Sequence, residues 1–191
     1  MAGIDSAAQP LEARRRIAYL PDTPYVYDKL TGREFLHFVA GLYQVPHDTA
    51  DRRINDLLTI LGLGDRADDL LEGYSHGMRQ KALMASALLH DPKVLFLDEP
   101  TVGLDPKSAR MMQDIFRQLS RRGATVFLST HILEIAERMC DRIAIIDGGR
   151  IIALGTVEEL HAQAEGSDTL EDVFLELTGG PEVTEIAEVL A

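Results

Sequence analysis

One short stretch, Val94-Leu95-Phe96-Leu97, constrains the fold most, because four consecutive residues are apolar. A strand with one solvated face alternates apolar and polar residues, whereas a strand inside a parallel sheet is apolar on both faces. The stretch therefore predicts a strand buried in a parallel sheet with helices above and below it. Asp98 and Glu99 follow, at the edge of an α/β sheet where ligands bind. Taken alone, this carboxylate pair could equally be a solvated turn.

Helical and strand patterns alternate along the rest of the chain, which is typical of an α/β layered fold with right-handed crossovers. Asp147-Gly148-Gly149-Arg150 predicts a hairpin turn, since glycine tolerates the positive φ that such turns need. Thr31 with Glu34, and Thr156 with Glu159, form capping boxes that predict helix starts. We predict strands at 16–20, 125–129, 142–147 and 151–154, and helices at 31–43, 49–61, 75–89, 107–121, 132–140 and 167–178.

Composition narrows the class of protein. With 191 residues and 46% apolar content, the chain can bury a core, and its net charge of −12 argues against binding to bulk nucleic acid. A single cysteine, Cys140, cannot form an internal disulfide, so a reducing cytosol fits best. The longest apolar stretch, 82–89, is too short to cross a bilayer. Any membrane role is therefore expected to come through a partner.

Four motifs occur in a fixed order along the chain. They are Tyr74-Ser75-His76-Gly77-Met78-Arg79-Gln80, Leu97-Asp98-Glu99-Pro100-Thr101, Gly103-Leu104-Asp105-Pro106 and Ser129-Thr130-His131. The set resembles the ATP-binding-cassette (ABC) family of transporter ATPases, and the resemblance spans residues 16 to 178. It implies an α/β fold of the P-loop-NTPase type, a parallel-sheet core that is incomplete at the N-terminus and carries an inserted α-helical subdomain.

The resemblance also implies roles for individual residues. Asp98 matches the Walker B aspartate, which holds Mg²⁺ through water, and Glu99 matches the catalytic glutamate that acts as general base. His131 matches the switch histidine that contacts the γ-phosphate of ATP; the alternative is a solvated histidine at a helix start. Asp22 stands where the family most often has a glutamine that contacts Mg²⁺ and senses the membrane partner.

Three further residues are implied to act across a subunit interface. Ser75 and Gly77, at a helix start that favours phosphate, would contact the ATP of a second ATP-binding subunit, and Asp105 would lie at the same interface. Whether that subunit is identical or different stays open. Residues 74–80 stand where the family carries its signature loop, whose serine would cap the helix that follows, and His76 and Met78 depart from the glycine and glutamine usual there.

The implied membrane partner is a transmembrane permease subunit, which would hold the chain at the inner, cytoplasmic face of the cell membrane. Tyr25, Val26 and Tyr27 lie at the mouth of the groove that this partner would occupy; contact and core-filling are equally expected for them. We divide the chain into 1–22 (remnant of the ATPase core), 23–90 (helical subdomain), 91–160 (core with the acidic motif) and 161–191 (C-terminal helix and acidic tail). The sequence names neither the transported substrate nor the direction of transport.

No stretch of the 191 residues contains the P-loop, G-x-x-x-x-G-K-[ST], which cradles phosphates. In the family this loop precedes the Asp22 loop by several tens of residues, so we expect the sequence to begin after it. A truncated product or a misplaced start is favoured over a chain that works without its own ATP site.

The expected function is the ATP-hydrolysing subunit of a transporter, inactive as these residues alone. Alternatives are a non-catalytic cassette that lends its signature loop to a partner, and an ABC protein acting on ribosomes or DNA.

Overall fold

Three parallel strands form the sheet of the first of two units. The structure, a computed structural model, describes residues 2–163 and 169–179, and the units are Met1–Ser129 and Thr130–Ala191. The sheet order is β1 (Ile17–Leu20), β2 (Val94–Asp98) and β3 (Thr125–Ser129), with Leu20, Leu97 and Leu128 aligned in register. The predicted parallel sheet is therefore confirmed. All three strands end at the same edge.

The two faces of this sheet differ in burial. Leu95 and Leu97 are buried, whereas Tyr19, Phe96 and Phe127 form an aligned row on the other face, where Tyr19 is 58% and Phe127 59% exposed. The expectation that β2 is covered on both faces is therefore wrong for the part of the chain that the structure describes. An apolar pattern shows that a face is suited to burial, but burial also requires an element to cover it.

Four helices of the first unit follow the predicted pattern closely: α2 (Gly32–Leu42), α3 (His47–Ile60), α4 (His76–Leu88) and α5 (Pro106–Arg121). A short helix before the first strand, α1 (Pro10–Arg15), was not predicted. The capping box of Thr31 and Glu34 starts α2, because each residue's side chain accepts from the other's backbone N–H. Helices α2, α3 and α4 pack on one another through buried residues such as Leu36, Leu58 and Met84, which confirms the inserted helical subdomain.

Close packing at the start of α2 explains why residue 32 is glycine. Tyr74 is buried, and its hydroxyl donates to Arg66 O at 2.6 Å. A Cβ at Gly32 would overlap that hydroxyl and lie 3.2 Å from Ala67 O.

Gly32→Ala is therefore expected to destabilise the chain by about 2 kcal/mol, the usual cost of overpacking a site that cannot relax. The free energy of unfolding, from urea titration, measures the effect. Gly41→Ala is the matched control, because it lies on the same helix with no heavy atom within 4 Å of the added Cβ. It should stabilise by roughly 0.5 kcal/mol. Equal effects of the two substitutions would contradict the packing argument.

The described residues of the second unit, 130–163 and 169–179, form a β-hairpin and three helices. Strands β4 (Ile143–Asp147) and β5 (Arg150–Gly155) pair antiparallel through Gly148 and Gly149, whose φ values are 52° and 75°. The hairpin turn is therefore confirmed. The alternating pattern had suggested that residues 142–147 belong to the layered sheet, but β4 pairs with β5 in a sheet of its own.

Three helices of this unit pack with the hairpin around a small core. They are α6 (Leu133–Met139), α7 (Val157–His161) and α8 (Leu170–Thr178), and the core includes Ile145, Leu160 and Val173. The predicted start of the last helix at 167 and the acidic tail fall outside the described residues. Within the described ranges, no helix is both long and apolar enough to cross a membrane.

Candidate functional site

The carboxyl edge of the parallel sheet carries two of the predicted site residues. Asp98 ends β2 opposite Ser129, and Asp22 follows the end of β1 by two residues. Because neighbouring parallel strands end together, both carboxylates belong to one edge; this was predicted from the sequence for Asp98 but not for Asp22. Asp22 is exposed and Asp98 half-buried, so solvent reaches both side chains. Carboxylate oxygens of this kind suit a hard cation such as Mg²⁺.

Glu99 has an unusual backbone. Its φ is 46°, in the left-handed region, which costs a residue with a side chain about 1–2 kcal/mol. Its N–H donates to Ser129 O at 3.0 Å, and its carbonyl accepts from Val102 N at 3.2 Å, which closes a tight turn after β2. Glycine would adopt this conformation without strain. A strained glutamate at the sheet edge is therefore a candidate for a functional rather than a structural role.

Asp105 caps the helix that follows this turn. Its side chain accepts two hydrogen bonds from Ser108, one from the backbone N–H at 3.0 Å and one from the hydroxyl at 2.5 Å. The bond from the Ser108 hydroxyl, and to a smaller extent the bond from its backbone N–H, hold the pKa of the Asp105 carboxyl below its usual value. The positive charge of Lys81 lowers this pKa further. Ser108 was not among the predicted site residues, although serine at the third position after a capping aspartate is a local signal for this bond. The role of Asp105 across a subunit interface stays a prediction.

The lowered pKa of Asp105 gives a pH-dependent contribution to stability. A carboxyl group whose pKa is lower in the folded than in the unfolded protein stabilises the fold at pH values above its unfolded-state pKa, about 3.9. This contribution is lost as the pH falls through the folded-state pKa. Asp105→Asn should therefore lower the thermal midpoint at pH 7, and the difference from wild type should shrink as the pH falls below the unfolded-state pKa of about 3.9. Thermal melts at several pH values measure it. A difference that does not change with pH would contradict the charge argument.

The signature loop packs against the same turn. Ser75 caps α4 by accepting from Met78 N at 3.3 Å, as predicted. The ring of His76 lies 3.1 Å from where a Cβ of Gly103 would stand, and Gly103 has a φ of 73°. Residues 75–77 and 103–104 are thus in contact within one chain. The departure from glycine at position 76 has a structural consequence, since the imidazole covers the Gly103 backbone.

Gly77 leaves the start of α4 open. A Cβ at this position would make only an ordinary contact with Leu104, 3.5 Å away, so packing within the chain does not require glycine here. A helix N-terminus without a covering side chain offers backbone N–H groups and a positive dipole end to an anion. The arrangement fits the phosphate contact that the resemblance implies for Ser75 and Gly77.

Arg79 ties the signature loop to the loop after Asp22. Its guanidinium forms an ion pair with Asp28 at 3.0 Å and donates to Tyr74 O at 3.3 Å and to Glu72 O at 3.2 Å. Arg79 belongs to one of the predicted motifs but had no predicted role of its own. No local pattern could reveal this connection, because it joins residues about fifty positions apart.

Two tyrosines near Asp22 are exposed. Tyr25 is 79% and Tyr27 59% exposed, and the Tyr27 ring meets Phe38 edge-on with centroids 5.2 Å apart. The core-filling alternative is therefore wrong for these two residues, although Val26 is half-buried. We call Tyr25, Tyr27 and Phe38 the tyrosine patch.

His131 belongs to the second unit, in the segment just before α6. Its side chain is exposed, and Thr130 Oγ1 beside it accepts a hydrogen bond from Ile132 N at 3.1 Å. The switch role of His131 stays a prediction.

Comparison with known proteins agrees with this geometry. The sequence model of the ABC transporter family matches residues 3–102, more than half of the chain. The chain belongs to the ABC transporter family. An ABC structure described as the ATP-binding subunit of an ABC transporter superposes with a TM-score of 0.86 at 35% identity, over 93% of this chain and 74% of that one. The P-loop-NTPase-like fold is thereby confirmed.

Curated ABC relatives give the same assignment. An uncharacterized ABC transporter ATP-binding protein of Nostoc sp. is 41% identical, over 84% of this chain and 51% of its own length. The daunorubicin/doxorubicin resistance ATP-binding protein DrrA of Streptomyces peucetius is 42% identical, over 88% of this chain and 51% of its own. The chain thus spans about half the length of these ABC relatives.

Proposed function

We propose that this chain provides catalytic and signature residues of an ABC ATPase that couples ATP hydrolysis to transport through a separate membrane subunit. The observation that carries the proposal is the strained Glu99, which follows Asp98 at the sheet edge, in a turn that packs against the signature loop. Gln44 and Asp91 share this left-handed backbone, so it is the position of Glu99 beside Asp98, together with the strain, that supports a functional role.

Glu99 would act as the general base. Its carboxylate would accept the proton of the attacking water, which a group within hydrogen-bond reach can do in the transition state. Asp98 and Asp22 would hold Mg²⁺ by one or two carboxylates, with water and phosphate oxygens as the other ligands. Mg²⁺ supplies neutralisation of the charge that develops on the transferred phosphoryl group. His131 would contact the γ-phosphate.

Ser75 and Gly77 would serve the ATP of a second cassette. The open start of α4 suits a phosphate, and in the ABC family such a site is completed by the facing subunit. ATP would thus be held between two subunits, and Asp105 would lie at the same interface.

The tyrosine patch is the proposed contact for a transmembrane permease subunit. Aromatic side chains are enriched at protein interfaces, and here the exposed Tyr27 and Phe38 rings are in contact, with the exposed Tyr25 two residues before Tyr27. Asp28 follows Tyr27 directly and pairs with Arg79, so a contact at the patch would be linked physically to the signature loop. This partner would hold the chain peripherally at the inner face of the cell membrane. DrrA is named for resistance to daunorubicin and doxorubicin, so export of an amphipathic drug is the first transport activity to test.

A second candidate function is a non-catalytic cassette that lends only its signature loop. The observation that favours it is the helix start at Ser75, where the side chain caps α4 and Gly77 follows. Such a chain would complete one ATP site of a partner and leave the other inactive.

ATPase assays separate the two candidates. The 191 residues alone are expected neither to bind ATP tightly nor to hydrolyse it at a useful rate, because they contain no phosphate cradle. A fusion that places the P-loop segment of a full-length relative before residue 1 is expected to hydrolyse ATP when Mg²⁺ is present. Robust Mg²⁺-dependent turnover by the unfused chain would contradict the first expectation. A folded, ATP-binding fusion without turnover would favour the non-catalytic candidate.

A further inference from the structure

A long trough runs along the surface of the first unit, away from the residues described above. Its volume is about 670 Å³, and its two walls are α3 and α5. Residues 53, 56, 57 and 60 of α3 line one wall, and residues 107 to 122 line the other at spacings of three and four. Residues at these spacings share one helix face, so each wall is a continuous stripe. The α5 stripe is about 22 Å long, from the rise of an α-helix.

The interior of the trough is apolar and reachable by solvent. Leu57, Ile60, Met111, Ile115 and Leu119 line it, and Ile60 is 60% exposed. Leu88 and Pro92, where α4 leads into β2, close the floor. Exposing apolar surface to water costs about 25 cal/mol per Å². Covering an apolar channel of this length is therefore favourable.

Charges along the rim do not balance. Asp114 pairs with Arg110 at 3.9 Å and with Arg117 at 3.4 Å, and Asp91 pairs with Lys93 at 3.0 Å. In the part of the chain that the structure describes, Lys107 and Arg122 form no ion pair with a carboxylate, and Arg53 donates to the backbone carbonyl of Leu89 at 2.8 Å. Four basic and three acidic side chains line the trough, so its net formal charge is +1, although the whole chain carries −12.

The geometry points to an acidic amphipathic helix of a partner protein as the occupant of this trough. A helix with apolar residues at i, i+3, i+4 and i+7 would match both stripes, which is the helix-in-groove mode of recognition. Glutamates flanking that stripe would meet Lys107 and Arg122 at the ends of α5. Opposite charges along a groove fix register and direction as well as affinity. This surface is separate from the tyrosine patch, since none of the patch residues lines it.

A pair of labelled peptides tests the proposal on the 191-residue chain. The probe is a helical peptide of about 16 residues, long enough to match the α5 stripe, with leucine at the apolar positions and glutamate beside them. Its control carries lysine in place of every glutamate. Fluorescence anisotropy should show the acidic peptide binding at least about ten-fold more tightly than the basic one. Equal binding of both peptides, or none, would overturn the proposal.

Matched variants locate the binding site. Lys107→Glu with Arg122→Glu should weaken acidic-peptide binding about ten-fold or more. Arg52→Glu on α3 with Arg121→Glu on α5 changes the net charge equally at residues that do not line the trough, and should change binding less than about three-fold. Likewise Ile60→Ser should weaken binding, whereas Leu42→Ser, at an equally exposed apolar residue on α2, should not. If the control pairs weaken binding as much, the attraction is non-specific and the trough is not the site.

Further measurements distinguish two other occupants of the trough, a second copy of the chain and a small anionic amphiphile. Sedimentation equilibrium of the unliganded chain reports self-association; a dimer abolished by Ile60→Ser would assign the trough to a second copy of the chain and overturn the proposal. Lauric acid is the probe for a small anionic amphiphile. If it binds in an Ile60-dependent way while the acidic peptide does not, the trough is a lipid-type site instead. Amide exchange protection of 53–60 and 107–122 by the acidic peptide is the supporting result.

Discussion

Replacing Glu99 by glutamine in the P-loop fusion is expected to lower ATP turnover by about 10²- to 10⁴-fold, the range of general base catalysis, while ATP stays bound. An amide keeps the shape of the carboxylate but cannot accept the proton of the attacking water. The expected product is a dimer locked with ATP between its subunits. Steady-state kinetics and size-exclusion chromatography with ATP and Mg²⁺ measure the two effects.

A glutamate on the surface of the second unit is the control for this substitution. Glu134 is exposed on α6, and Glu134→Gln should leave turnover within about two-fold, as surface changes away from a site usually do. Normal turnover of the Glu99→Gln fusion, with only monomer on the column, would show that Glu99 is not the base. Loss of turnover with loss of ATP binding would indicate a role in binding instead.

Local rules predicted the parts of the fold that depend on neighbours in sequence. The caps at Thr31, Ser75 and Thr156 each begin a helix in the structure, because a side-chain acceptor three residues before a free N–H acts within one turn. The apolar run of β2 likewise identified the centre of the sheet. These features need no knowledge of the distant chain.

Contacts between distant segments were beyond sequence reasoning. The packing of His76 on Gly103 and the ion pair of Arg79 with Asp28 join loops that only the tertiary fold brings together. The left-handed backbone of Glu99 was also unforeseen, since glutamate does not signal a positive φ as glycine does. Sequence patterns rest on the backbone conformations that each residue type prefers. A residue held in a conformation that its type disfavours is therefore recognised only in the structure.

The signature loop supplies the second large expected effect. Ser75 and Gly77 would complete the ATP site of a facing subunit, so the chain should rescue a P-loop fusion whose own Ser75 is mutated, if the two associate. Removal of one charge-stabilising donor typically costs about 10²- to 10³-fold in rate. Adding the wild-type chain should therefore restore a measurable part of the lost ATPase activity.

Substitutions of Ser75 in the added chain separate its two tasks. Ser75 Oγ caps α4 at 3.3 Å from Met78 N, so an effect on folding must be distinguished from an effect on ATP. Aspartate caps a helix as well as serine does, but its charge would repel a phosphate, so Ser75→Asp should keep the thermal midpoint and lose the rescue. Ser75→Arg should lose the rescue as well, whereas Ser75→Thr, which retains the hydroxyl, should keep most of it. Full rescue by a folded, partner-bound Ser75→Asp chain would mean that this loop does not contact the phosphate, because no phosphate site tolerates a carboxylate in place of its donor.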